Sequence, residues 1–82
     1  MYKIILKERA LRFFSKLDKL PQKIIGKKIE KLKDNPRLGK PLTGPFSGLW
    51  SLRIEKYRCI YAINDNELIV VVIEIGHRKN IY

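Results

Sequence analysis

Arg53, Arg58 and the closing run Gly76-His77-Arg78-Lys79-Asn80-Ile81-Tyr82 hold the side chains from which anion chemistry can be built. Two strand-like segments, Leu49–Ile54 and Tyr57–Ile63, are separated only by Glu55-Lys56. If those two residues form a hairpin turn, Ile54 stands opposite Tyr57, Arg53 opposite Arg58 and Leu52 opposite Cys59. Like charges set directly opposite destabilise a sheet by roughly 0.2–1 kcal/mol. An anion seated over the pair would offset that cost, and guanidinium is shaped to clamp a phosphate through two parallel hydrogen bonds.

Cleaving RNA by attack of a 2′-hydroxyl on the neighbouring phosphate is one reaction that such a clamp serves. It requires a base for the hydroxyl proton, cations for charge developing on phosphate, and an acid for the departing 5′-oxygen. Arginine supplies the cations but is a poor proton donor or acceptor, since its pKa exceeds about 12. The titrating candidates are His77, the sole histidine, and Tyr82, whose phenol would need nearby cations to lower a pKa of about 10. One histidine excludes a two-histidine acid–base pair. No carboxylate constellation, Cys/His cluster or glycine-rich phosphate loop points to a metal or a nucleotide cofactor, so none is expected.

Composition points to the same class of partner. The chain has 82 residues with 18 Lys+Arg against 8 Asp+Glu, a formal charge of +10 that draws it to phosphate or acidic surfaces. Arg37 and Lys40 in a loop, Lys56 at the turn and Lys79 in the tail are therefore candidate contacts to an RNA backbone. The longest wholly apolar run, Leu68–Ile73, is far short of the roughly 20 residues needed to span a bilayer. Met1–Lys7 is too short and too soon charged for a signal peptide, and a single Cys59 gives no internal disulfide, so a cytoplasmic protein is expected.

The elements that must position these residues are legible in outline. Tyr2–Leu6 reads as a strand. Ala10, Phe13, Phe14 and Leu17 form the apolar stripe of a helix over Glu8–Lys19. Pro21 suits the first turn of a second helix that turns Ile25, Ile29 and Leu32 inward and ends near Asp34-Asn35, before Pro36. Residues 36–48 contain three prolines and three glycines, composition that predicts a loop without regular structure. Leu49–Ile54, Tyr57–Ile63 and Leu68–Ile75 are strands, the last two joined through Asn64-Asp65-Asn66, residues that tolerate left-handed turns. The expectation is a single α+β domain: a helical hairpin on one face of a small, mainly antiparallel four-stranded sheet.

Alternation turns Trp50, Leu52 and Ile54 toward the helices and Leu49, Ser51, Arg53 and Arg58 outward. A tight Asp65-Asn66 turn sets Arg58 opposite Ile73 and delivers His77, Arg78 and Tyr82 to the edge of the same outer face. It also drives Glu74 to the helix side, which demands either a sheet end or a bulge. Trp50, Tyr57, Tyr61 and Cys59 are expected in or beside the core, and Lys23, Lys27 and Lys31 form a stripe on a solvated helix face.

Across essentially its whole length the chain resembles the RelE/ParE toxin superfamily, in particular RelE-like ribosome-dependent messenger-RNA interferases. The resemblance rests on Asn35-Pro36-Arg37, Gly39-Lys40-Pro41-Leu42 followed by Gly48-Leu49-Trp50, then Tyr57-Arg58-Cys59-Ile60-Tyr61, and Gly76-His77-Arg78 leading to Ile81-Tyr82. It implies a type II toxin that cleaves messenger in the ribosomal A site and is silenced by a cognate RelB-like antitoxin. It also implies active residues at Arg53, Arg58, Arg78 and Tyr82. Ser51 departs from the basic residue that better-studied interferases carry there, leaving the general base unassigned. A ParE-like gyrase inhibitor and an inactive nucleic-acid-binding relative are the alternatives on the same fold.

Overall fold

The computed structural model describes residues 1–80. Strand β1 (Lys3–Leu6) is followed by helices α1 (Glu8–Ser15) and α2 (Lys19–Glu30), the latter extended by a single tighter turn over Lys31–Lys33. Then come β2 (Lys40–Pro41), β3 (Trp50–Ile54), β4 (Tyr57–Asn64) and β5 (Ile69–His77). The sheet order is β1-β5-β4-β3-β2, with β1 parallel to β5 and every other pair antiparallel.

The helices arise where the apolar periodicity placed them, but α1 ends at Ser15 rather than Lys19. Its closing carbonyls are taken up locally: the Lys16 and Leu17 amides bond to Phe13 and Phe14, and Gln22 of α2 donates its side-chain amide to the Phe14 carbonyl at 2.9 Å. Pro21 lies in the first turn of α2, where its missing N–H costs no helical bond. Ala10, Ile25, Ile29 and Leu32 from the helical layer meet Leu52, Ile54, Tyr57, Cys59, Tyr61, Val70, Val72 and Ile75 from the sheet. β4 is the middle strand and contributes three fully or nearly buried residues to this core.

Two expectations are corrected. The sheet has five strands, not four, because Lys40–Pro41 pairs with Ser51 and Trp50 inside the segment expected to lack regular structure. Backbone pairing this short leaves no side-chain pattern, and proline is tolerated on the sheet's edge. The β4–β5 connection holds four residues, Asp65 to Leu68, instead of two. Asn64 closes it by accepting the Glu67 amide at 3.0 Å and donating to the Glu67 carboxylate at 2.8 Å.

The longer connection displaces the register. Arg58 pairs with Gly76, not Ile73, and Ile73 has no partner because the pairing steps from Ile60↔Glu74 to Tyr61↔Val72. This is the bulge that Glu74 demanded. It returns Glu74 to the face of Ile60, and its carboxylate lies 3.6 Å from Arg9 of α1.

The Pro36–Gly39 segment is clamped to the sheet by Tyr61. Its buried hydroxyl donates to the Pro36 carbonyl at 2.8 Å and accepts the Gly39 amide at 3.0 Å. A Cβ on Gly39 would stand 2.5 Å from the Ser51 carbonyl oxygen and 2.8 Å from that hydroxyl, so backbone proximity demands glycine there. Gly39→Ala should therefore lower stability by about 1–3 kcal/mol in urea unfolding, and an unchanged midpoint would mean that the clamp yields freely.

Cys59 is wholly buried, and desolvation pushes its thiol up to about 12. An unfolded thiol ionises near ~8.5, so rising pH above that value favours the unfolded chain until the folded thiol also titrates. At pH about 9 the folded protein should resist iodoacetamide, with labelling appearing only on unfolding. Prompt labelling of the native protein would contradict the buried placement.

Candidate nucleic-acid interface

The hairpin register is the one the spacing requires: Ile54↔Tyr57, Arg53↔Arg58 and Leu52↔Cys59. Cross-strand partners point to one side, about 4.5–5.5 Å apart at Cβ, so the two guanidinium groups leave the same face of the sheet. Arg53 is exposed and Arg58 half-buried. The turn that creates this register is itself costly, because Glu55 adopts φ +54° without being glycine. That conformation costs an L-residue roughly 1–2 kcal/mol.

Arg58 is oriented by a residue whose role the pattern did not reveal. Its Nη1 donates to the Ser51 hydroxyl at 3.1 Å, and Ser51 is only 6% exposed. Ser51 also pairs with Lys40 on the strand edge. Lys40, Ser51, Arg53 and Arg58 thus line one groove of about 440 Å³, together with Lys28 from α2.

Arg78 joins Arg53 from the other side of the hairpin tip. Its amide donates to the Lys56 carbonyl at 3.0 Å, and both residues line an adjoining cleft of about 780 Å³ with Arg53, Lys27, Lys28 and Lys31. Lys56 also carries its ammonium 5.7 Å from the centre of the Tyr57 ring. The lysine stripe on α2, legible as spacing, is therefore one wall of a basic cleft. Which wall it forms depends on the rotation of α2 against the sheet, for which spacing alone gives no signal.

His77 is not brought to the arginine pair. It pairs with Tyr57, which faces the helices, and its ring lies 5.1 Å from Tyr57 and 6.1 Å from Phe13 of α1. Arg37 stands elsewhere too: it forms a 2.7 Å ion pair with Asp65, just beyond the end of β4 and seven residues on from Arg58. Asp65 is further bonded by the Tyr2 hydroxyl; that bond first, and Arg37 second, hold its carboxyl below the usual range. Lys79 is exposed in the turn after β5. Tyr82 lies outside the described residues.

Among the described residues the face holds cations and the Ser51 hydroxyl, groups suited to binding and polarising a phosphate. Fold and face together define a small α+β domain with an arginine-bearing sheet open to an anion. The family described as "ParE toxin of type II toxin-antitoxin system, parDE" matches residues 4–82, and the chain belongs to this RelE/ParE toxin family.

Similar proteins carry the RelE names. Toxin RelE of Mycobacterium tuberculosis is 42% identical over 71 residues, covering 80% of this chain and 73% of that toxin. Toxin RelG of the same organism is 38% identical over 71 residues, covering 80% and 82%. The toxin fold in the intact Escherichia coli RelBE toxin-antitoxin complex superposes with a TM-score of 0.81 at 26% identity, over 94% of this chain and 96% of that one. The chain is accordingly a RelE-family toxin of type II toxin-antitoxin systems.

Repulsion within the pair is measurable. A double-mutant cycle of Arg53→Ala and Arg58→Ala in urea unfolding should return an unfavourable coupling of roughly 0.2–1 kcal/mol, with the fold intact in every variant. A favourable coupling would show that the two side chains support one another instead.

Proposed function

We propose that this toxin is an endoribonuclease that cuts messenger RNA in the ribosomal A site and so arrests translation. The observation that carries the reading is the Arg53–Arg58 pair, held open on the outer face with Arg58 bonded to the buried Ser51 hydroxyl. In this reading the 2′-oxygen forms a bond to phosphorus as the bond from phosphorus to the 5′-oxygen breaks. The products are a 2′,3′-cyclic phosphate and a free 5′-hydroxyl. Arg53 and Arg58 bind the non-bridging oxygens, where charge grows in the transition state, and Arg78 approaches from the hairpin tip.

Proton transfer falls to other groups. Tyr82 is assigned that role by the family resemblance, and the RNA or the ribosome supplies what the protein lacks. His77 is given no direct part, because its ring lies tilted against Tyr57 on the helix side of the sheet. Ser51 is given a positioning part: its oxygen already accepts from Arg58. Lys40, Lys56 and Lys79 are assigned to the RNA backbone, and Arg37 is left to its ion pair with Asp65.

We further propose a RelB-like antitoxin as partner, on the strength of the E. coli RelBE complex whose toxin shares this fold, and a cytoplasmic site of action. No helix among the described residues is long and apolar enough to cross a membrane. The alternative target, DNA gyrase, is kept as an outcome of the test because the matching family is described as ParE.

Primer extension on messenger in a programmed ribosome should reveal A-site cuts, with naked RNA cut poorly. Arg58→Ala should lower the cleavage rate by about 10²–10³ while leaving the protein folded. Intact message together with blocked gyrase supercoiling would overturn the nuclease reading in favour of the ParE-like one.

A further inference from the structure

Beyond Arg53 and Arg78, which are assigned to the reacting phosphate, the cleft between α2 and the hairpin tip holds four lysines among the described residues, and it concentrates charge more heavily than the groove of Ser51 and Arg58. Six cations of the described residues line it: Lys27, Lys28 and Lys31 on one wall, Arg53, Lys56 and Arg78 on the other. Among the described residues Glu55 is the sole carboxylate that lines it. The ion pairs of the described residues all lie elsewhere, at Arg9–Glu74, Arg12–Glu8, Lys33–Glu30 and Arg37–Asp65. Cations at the end of α2 complement its dipole, but that accounts for one wall only. Two facing walls of unneutralised cations repel across the cleft unless an anion lies between them.

Arg53 and Lys28 line both this cleft and the groove of Ser51 and Arg58. An extended anion leaving that groove therefore meets a second basic channel without crossing a neutral gap. Ile24, 40% exposed, also lines the channel and offers an apolar surface to a base edge.

We propose that this channel binds the substrate strand itself, as the continuation of single-stranded RNA beyond the reacting phosphate. Lys27, Lys31 and Lys56 take successive backbone phosphates, and Glu55 at the tip limits affinity. The proposal rests on the nuclease reading for the identity of the strand. Its binding test requires no cleavage.

The test compares a 2′-O-methyl octanucleotide, long enough for groove and channel, with a trinucleotide that fills only the groove. Their affinities are followed by fluorescence anisotropy across a salt series. The double variant Lys27→Gln/Lys31→Gln keeps good helix formers at exposed positions. It should weaken the octanucleotide about tenfold at ~0.1 M salt. It should also reduce the log–log salt slope by about 1.4, since each lost phosphate contact to a single strand removes roughly 0.7. The trinucleotide should change less than twofold, and Glu55→Gln should tighten the octanucleotide alone.

An unchanged octanucleotide affinity and slope in the lysine variant would place the strand elsewhere and overturn the proposal. So would equal weakening of both probes, which would mean that the lysines act only through the overall field. A loss confined to ribosome association, with both oligonucleotides unaffected, would assign the channel to a separate RNA helix and likewise overturn it. If ribosomal cleavage is absent while octanucleotide binding still depends on these lysines, the nuclease reading fails and the channel stands.

Discussion

A turn of only two residues sets the central hairpin, and the rest of the molecule is arranged around that constraint. With Ile54 fixed opposite Tyr57, Leu52, Ile54, Tyr57 and Cys59 enter the core together, and the alternate positions are forced outward together. The same pairing cannot bury its apolar set without stacking Arg53 beside Arg58. Core formation and charge crowding are two consequences of one register, and the burial of four large side chains far exceeds the repulsion of one exposed pair. The strain at Glu55 belongs to the same trade, since a two-residue hairpin demands positive φ at its tip.

Around this hairpin the fold limits the cost of its charges without cancelling them. Ser51 gives Arg58 a hydrogen-bond acceptor from within the sheet. The molecule's carboxylates are largely used at other places: Asp65 ties Arg37 and Tyr2 together at the far end of β4, while Glu74 and Glu8 answer the arginines of α1. Lys27, Lys28, Lys31 and Lys56 gather at the cleft beside Arg53 and Arg78, which is where an anionic partner gains most.

The bulge at Ile73 decides which tail residues reach that surface. Without the extra residue, alternation from buried Val72 would place Glu74 and Arg78 on the helix side and His77 beside the arginines. With it, Ile75 returns to the core, His77 joins Tyr57 and Phe13, and Gly76 and Arg78 fall on the arginine side. One inserted residue thus exchanges an imidazole for a guanidinium at the site. Gly76, opposite Arg58, presents no side chain to it.

Much of this was determined by the sequence alone, where the signal is local. Apolar spacing at i, i+3 and i+4 located both helices, and the Glu55-Lys56 turn located the hairpin and the arginine pair. That either a sheet end or a bulge must intervene followed from the difficulty of burying Glu74, and the structure takes the bulge. Tertiary structure decided what depends on partners distant in the chain. The two-residue strand Lys40–Pro41 exists only because β3 offers it a free edge. The four-residue connection that sets Arg58 opposite Gly76 is closed locally by Asn64 and Glu67, but its ends are held from far along the chain, Asp65 by Arg37 and Tyr2 and the Leu68 carbonyl by the Lys3 amide. Above all, the α2 lysines become part of a cleft only when Ile25, Ile29 and Leu32 dock on the sheet. Periodicity states which residues share a face of a helix; only packing states what that face looks upon.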